Sequence, residues 1–182
     1  PSVPIGTIAT FDYEITAGSY SLSQSYYLEI NLMLEDFESN NFNLYAWQLL
    51  GDENWFTTNY LPFEGDYCSQ SGGIANNQNS VLEVEVDVLY NDSISFFKKV
   101  SSEAWYDYLR FYVDGNQLGQ WSGVEDWSKE SFAVNPGIHV FKWAYEKDAY
   151  VSENDDCAWL DEVRLPSGTV LGTSTTIVEE DV

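Results

Sequence analysis

The sequence predicts an all-β fold, a two-sheet antiparallel sandwich of jelly-roll type, and three observations carry that expectation. Apolar residues alternate with period two in short runs, most cleanly at Leu82, Val84, Val86 and Val88 against Glu83, Glu85 and Asp87. Runs stop at turn signals such as Asp114-Gly115-Asn116 and Pro136-Gly137. Helical periodicity is nowhere sustained, and 16% of the 182 residues are aromatic, a composition suited to pleated, half-buried surfaces. About eight short strands in one chain of this size pack as two sheets.

Residues 1–33 hold two β-like runs, Ile8 to Ile15 and Tyr26 to Leu34, separated by Ala17-Gly18-Ser19 and a Ser-rich patch. Two strands alone are marginal in water. The piece reads as the last hairpin of an upstream module, the alternative being a ribbon packed on the main domain. Residues 34–166 make the sandwich. Glu35 to Asn41 breaks the alternation, and a mixed segment follows through Trp47, Gly51-Asp52, Trp55 and the turn Glu64-Gly65-Asp66. After a polar loop at Gly72-Gly73 and Asn76 to Asn79 come strands at Val81 to Val88 and Ile94 to Phe97. Tyr108 to Val113 pairs with Leu118 to Trp121 across Asp114-Gly115-Asn116, a strong hairpin signal. Phe132 to Val134, His139 to Tyr145 and Cys157 to Leu165 complete the set. Residues 167–182 are Thr/Val/Gly-rich and read as a linker tail.

Charge narrows the function classes. Thirty acidic residues against seven basic ones give a net charge of −23, so nucleic acid and anionic membranes are poor partners. No apolar run approaches the ~20 residues of a membrane span. Bound divalent cations would relieve the self-repulsion of so acidic a chain.

Catalytic constellations are weak. Glu83, Glu85 and Asp87 share one strand face at roughly 6–7 Å spacing, near the range of paired-carboxylate glycoside hydrolysis, but a solvated face of an acidic sheet gives the same pattern. His139 stands mid-strand between Ile138 and Val140, without a nucleophile motif. No nucleophile elbow, zinc-protease helix or phosphate loop is present. For Cys68 and Cys157 a disulfide is the preferred reading, two buried thiols the alternative.

Recognition is the better expectation. Asp161 alternates with Trp159 and Val163, so it shares a face with apolar residues and needs a partner, for which a cation is the obvious choice. In a sandwich the first and last strands are commonly neighbours, which lets the 36–40 segment and Asp161 share one ion. Trp105, Tyr106, Trp121 and Trp127 cluster around loops, where exposed rings can stack on sugars. Trp127 is the ring most expected to be exposed, and Trp143 and Trp159 the most expected in the core.

Residues 35–166 resemble the cleaved-adhesin modules attached to gingipain-type peptidases of secreted bacterial multidomain proteins, and more loosely the MAM domains of animal cell-surface proteins, which are jelly rolls of concanavalin-like type. The ordered set carrying the resemblance is Asp36-Phe37-Glu38, Asp66-Tyr67-Cys68-Ser69-Gln70-Ser71, the pair of strands from Ile94 to Gly115, and Cys157-Ala158-Trp159-Leu160-Asp161-Glu162-Val163. The resemblance implies a structural calcium ion held by Glu38 and Asp161, with Asn40 and Asp66 as nearby loop ligands. It also implies a secreted or cell-surface protein associated with the bacterial outer membrane, an Ig-like module before Glu35 and an anchoring domain beyond Val182. The whole reads as a non-catalytic, calcium-stabilised adhesion or carbohydrate-binding module whose partners are a glycan or extracellular protein and its own neighbouring domains. The alternatives are a ligand-free spacer and a glycoside hydrolase using the Glu83/Glu85/Asp87 face.

Overall fold

In the computed structural model, which describes residues 7–18, 20–30 and 33–171, regular structure is β throughout. The chain divides into two units, Pro1–Met33 and Leu34–Val182. In the first, β1 (Thr7–Ala17) and β2 (Tyr20–Ile30) pair antiparallel from Thr7↔Ile30 to Ala17↔Tyr20. The Ser-rich patch, expected as a break, belongs to β2: Ser21 pairs with Thr16 and Ser25 with Asp12.

The second unit contains β3 (Leu34–Glu35), β4 (Gln48–Gly51), β5 (Phe56–Thr58), β6 (Cys68–Gln70), β7 (Asn79–Val88), β8 (Asp92–Ser101), β9 (Tyr108–Val113), β10 (Asn116–Trp121), β11 (Val124–Val134), β12 (Gly137–Glu146), β13 (Cys157–Arg164) and β14 (Gly168–Val170). Among the described residues they form two six-stranded sheets. The first runs β10-β9-β12-β7-β14, with β4 also on β7; the second runs β11-β8-β13-β6-β5, with β3 also on β13. All the pairings are antiparallel.

The alternation that predicted β7 becomes a burial pattern: Leu82, Val84, Val86 and Val88 are buried, and the three acids between them face out. From β9 and β12 come Leu109, Phe111, Phe141 and Trp143, and from β8 of the facing sheet Ile94 and Phe96. Phe96, Phe111 and Trp143 meet with ring centroids 4.9–5.3 Å apart, within the range for favourable aromatic pairs. Truncating any of them costs about 3–5 kcal/mol. The hairpin turn at Asp114 and Gly115 has φ of 52° and 76°, the left-handed pair that matches the twist of two antiparallel strands.

Two features depart from the sequence reading. Gly168–Val170, expected in the linker tail, is a strand on β7 from Gly168↔Val88 to Val170↔Val86; residues 172–182 of that tail lie outside the described residues. In β13 the register shifts between Asp161 and Arg164, and Glu162 has φ of 49°. This bulge turns Val163 away from the face of Trp159 and Asp161, so strict alternation fails there.

Candidate functional site

The bulge in β13 positions the first group of predicted residues. Asp161 is fully buried on the side of the second sheet that looks away from the core. The loop at 59–67 lies over that side: Phe63 stacks on Phe97 at 3.7 Å, and Tyr60 packs against Trp159 at 6.3 Å. Asp161 ties the loop down by accepting the amides of Phe63 (2.9 Å) and Glu64 (3.3 Å), along with that of Glu162 (2.8 Å). Burial pushes its carboxyl up to about 6, against the pull of those amides. Glu38 does the same at the other end of the loop, taking the amides of Asp66 and Tyr67, both at 2.9 Å. A Cβ at Gly65 (φ 66°) would overlap the Glu38 carboxylate. Upstream, Phe37 is fully buried with φ of 58°, and Asn40 (φ 53°) returns its amide to the Phe37 carbonyl. Asn40 Oδ1 accepts the Thr57 hydroxyl at 2.8 Å.

Glu38, Asn40, Asp66 and Asp161 offer only oxygen, the right chemistry for calcium. Among the described residues, the acidic side chains that gather one oxygen each within 4.8 Å of one another are Glu103, Asp107 and Asp148. Backbone amides of Phe63, Glu64 and Glu162 are partners of Asp161.

The expected Cys68–Cys157 disulfide is corrected. Both residues are free, buried thiols in one cluster with Trp159. Register gives the reason. Gln70 pairs with Trp159 and Ser69 with Leu160, so the two cysteines stand about four residues apart along the ladder, roughly 13 Å at ~3.3 Å per residue, and no bridge spans more than ~7 Å between Cα atoms. Trp159 sits between them.

The four predicted aromatics separate. Trp127 is half-buried against the cysteine cluster; its indole donates to the Leu61 carbonyl at 3.0 Å and its ring meets Phe63 at 6.0 Å. It therefore belongs under the 59–67 loop, contrary to the exposure expected of it. Trp105 is 79% and Tyr106 57% exposed, in the turn between β8 and β9. That turn is built by polar ties: the Ser102 amide donates to the Gly123 carbonyl, the Ser102 hydroxyl to the Asp107 carbonyl at 2.9 Å, and the Trp105 amide to Ser122 Oγ at 3.0 Å. Trp105 takes a left-handed φ of 72°, which swings its ring outward.

Trp121 is held from three sides. Phe96 meets its edge at 6.1 Å, Lys98 Nζ lies 5.0 Å from the ring centroid, and Gly119 lies beneath it. Lys98 is itself 1% exposed and pairs with Glu125. Between the two tryptophans opens a cleft of about 300 Å³ lined by Trp105, Tyr108, Gln120, Trp121, Ser122 and Glu125, among others.

Period two adds residues that the sequence reading passed over. Tyr108, Arg110 and Tyr112 alternate with buried Leu109 and Phe111, so they share the open face of the first sheet. Arg110 lies 4.6 Å over the Tyr108 ring and pairs with Glu146, while Lys142 lies 4.2 Å over Tyr112. Glu83, Glu85 and Asp87 stand farther along that face, opposite Lys142, Val140 and Ile138, and line neither this cleft nor the one formed by Asn59, Pro62, Gly65, Asp66 and Tyr67. His139 is bound to Asp114 at 2.7 Å and to the Asn135 carbonyl at 2.9 Å, which makes it a clasp for the β9–β10 turn.

Solved structures share this fold. TmCBM61, solved in complex with β-1,4-galactotriose, superposes with a TM-score of 0.55 at 15% identity, over 74% of this chain and 97% of that one. The K1 cleaved adhesin domain of Lys-gingipain from Porphyromonas gingivalis gives 0.54 at 14%, over 79% and 99%. A carbohydrate-binding module of the β-sandwich superfamily gives 0.53 at 11%, over 87% and 74%. The adhesin-type resemblance seen in the sequence is thus met at the level of fold. No family model matches the sequence, and no curated protein does.

Proposed function

We propose that residues 34–171 form a non-catalytic carbohydrate-recognition module of an extracellular multidomain protein. The observation that carries this reading is the cleft between Trp105 and Trp121. An exposed indole, a second indole fixed in place, a tyrosine and short polar groups from Gln120 and Ser122 line one opening. A sugar presents C–H faces and a rim of hydroxyls, so it needs flat rings beside polar side chains. The open face of the first sheet continues the surface through Tyr108, and its Arg110–Glu146 pair adds donors and acceptors for a longer chain of sugars. Support also comes from the fold, which is shared with TmCBM61, solved in complex with β-1,4-galactotriose, and with a second carbohydrate-binding module. The acidic surface favours neutral over acidic glycans.

A glycan array on the full chain tests the reading, followed by titration of the best neutral oligosaccharide with the protein and with Trp105→Ala. Trp105 is mostly solvated, so its removal should lower the melting temperature little and weaken binding at least tenfold. Absence of binding across the array, or unchanged affinity in Trp105→Ala, refutes the assignment and leaves a spacer or protein-binding module.

A further inference from the structure

A group of carboxylates outside the predicted ligand set lies close enough together to share one ion. Glu103 and Asp107 lie in the β8–β9 turn, and Asp148 follows β12; one oxygen from each falls within 4.8 Å of the others. Two oxygens bound to one calcium at 2.3–2.6 Å are separated by at most about 5 Å, so this spacing suits a shared ion. Asp107 is fully buried, and its Oδ2 has no hydrogen-bond donor; the inward Glu103 Oε2 is buried and has none either. Native proteins rarely leave a buried carboxylate oxygen in that condition.

Neighbouring groups do not remove the problem. Asp107 Oδ1 accepts the Asp148 amide at 2.9 Å, which fixes the carboxyl beside the segment that carries Asp148. Asp148 Oδ1 takes the Tyr150 amide at 2.8 Å. Lys147 forms a buried ion pair with Asp107 Oδ2 at 3.6 Å, longer than a hydrogen bond, and gives its hydrogen bonds to Asp156 and to Ser152 Oγ (2.6 Å) instead, so one shared ammonium faces the three carboxylates. Desolvation raises the Glu103 carboxyl, and the charges of Asp148, Asp107 and Glu153 raise it further. The Asp107 carboxyl is raised first by burial as well.

The geometry points to a calcium site formed by Glu103, Asp107 and Asp148, which clamps the Trp105/Tyr106 turn to the segment after β12. The donors are all hard oxygens on two separated loops, with no histidine or thiolate among them, so calcium suits them better than zinc. Magnesium demands near-octahedral geometry and keeps most of its water, so three carboxylates on irregular loops favour the larger ion. The site is independent of Glu38 and Asp161 and does not require that the cleft bind sugar.

Calorimetric titration of CaCl2 and MgCl2 into the chelator-stripped full chain tests it, with hydrogen exchange followed in parallel. Calcium should bind at least tenfold tighter than magnesium and slow exchange at 103–107. Glu103→Gln and Asp148→Asn should each weaken calcium at least tenfold, whereas Glu38→Gln should not. Asp107→Asn alters a fully buried group, so the half-buried Glu103 and Asp148 variants carry the test if it fails to fold. The proposal is overturned if the stripped protein takes up no calcium at millimolar concentration, if both variants bind as tightly as the parent, or if the loss follows Glu38→Gln instead. Magnesium binding as tight as calcium overturns the identity of the ion.

Discussion

Gly119→Ala tests whether Trp121 is fixed where the cleft requires it. A methyl at position 119 would lie 2.7 Å from Trp121 Cζ2 and 3.2 Å from Cζ3, and nearer still to Cη2, where ordinary contacts run 3.4–4 Å. The ring must retreat by roughly 1 Å, and Phe96 and Lys98 stand behind it. Overpacking of this kind costs about 1–3 kcal/mol. For a chain of this size that is a fall of about 2–12 °C in melting temperature. Gly119 is not in the left-handed region, so the methyl brings no backbone strain of its own. Thermal melts followed by near-ultraviolet circular dichroism, which reports the packed indoles, measure the effect. The decisive comparison repeats the substitution in a Trp121→Ala background, where the clash partner is gone and the cost should vanish. An equal cost in both backgrounds, or none in the parent, would show that the indole does not rest on Gly119.

Two further predictions concern other parts of the sandwich. Burial pushes both the Cys68 and Cys157 thiols up to about 12, so the native protein should resist alkylation at pH 8, while two equivalents react in denaturant without reductant; one disulfide-bonded species by intact mass would contradict the free thiols. Asp92 holds the start of β14 by accepting the amide and hydroxyl of Ser167 at 2.8 and 2.9 Å. Desolvation would raise its carboxyl, but these bonds, the Ser93 amide and the charge of Arg164 hold it below the usual 3.8. The folded state then binds fewer protons than the unfolded one as pH drops past 3.8, so the stability this group adds is present above that value and fades below it. Asp92→Ala should flatten that part of the acid limb and speed hydrogen exchange at 168–170, and an unaltered exchange pattern there would dissociate Asp92 from β14.

The fold was legible where one physical signal dominated. At 82–88 the alternation is unbroken because β7 is a central strand with one dry face, and at Asp114-Gly115 only a left-handed turn joins the strands. β4 and β5 were obscure because three or four residues cannot display a period, and β14 because Gly168-Thr169-Val170 has the composition of a linker. The candidate sites were harder for a related reason. Asp161 was visible as an acid on an apolar face, but its partners are amides of Phe63 and Glu64, nearly a hundred residues away, and backbone donors leave no trace in side-chain identity. The bulge at Glu162 broke the count that placed Val163 beside it. Glu103, Asp107 and Asp148 come together only through the stacking of the β8–β9 turn against the end of β12, and in so acidic a chain nothing marked them out. Trp127 was misread because a strand-end tryptophan flanked by Asp126 and Ser128 looks solvated until a loop is laid across it.

The way the two sheets end has a consequence for crowded surfaces. One border of the first sheet is shared by β4 and β14, four and three residues long, and the second sheet ends in the three-residue β5. The outer strands β10 and β11 are interrupted by register shifts, between Gln117 and Gly119 and between Glu125 and Ser128, and β11 carries Lys129 and Glu130. A neighbouring copy seeking to add its own strand finds short, kinked or charged ladders, which are poor templates for intermolecular β pairing. Copies packed side by side at high density would therefore keep their strands to themselves, leaving the faces and loops as the surfaces through which they meet anything else.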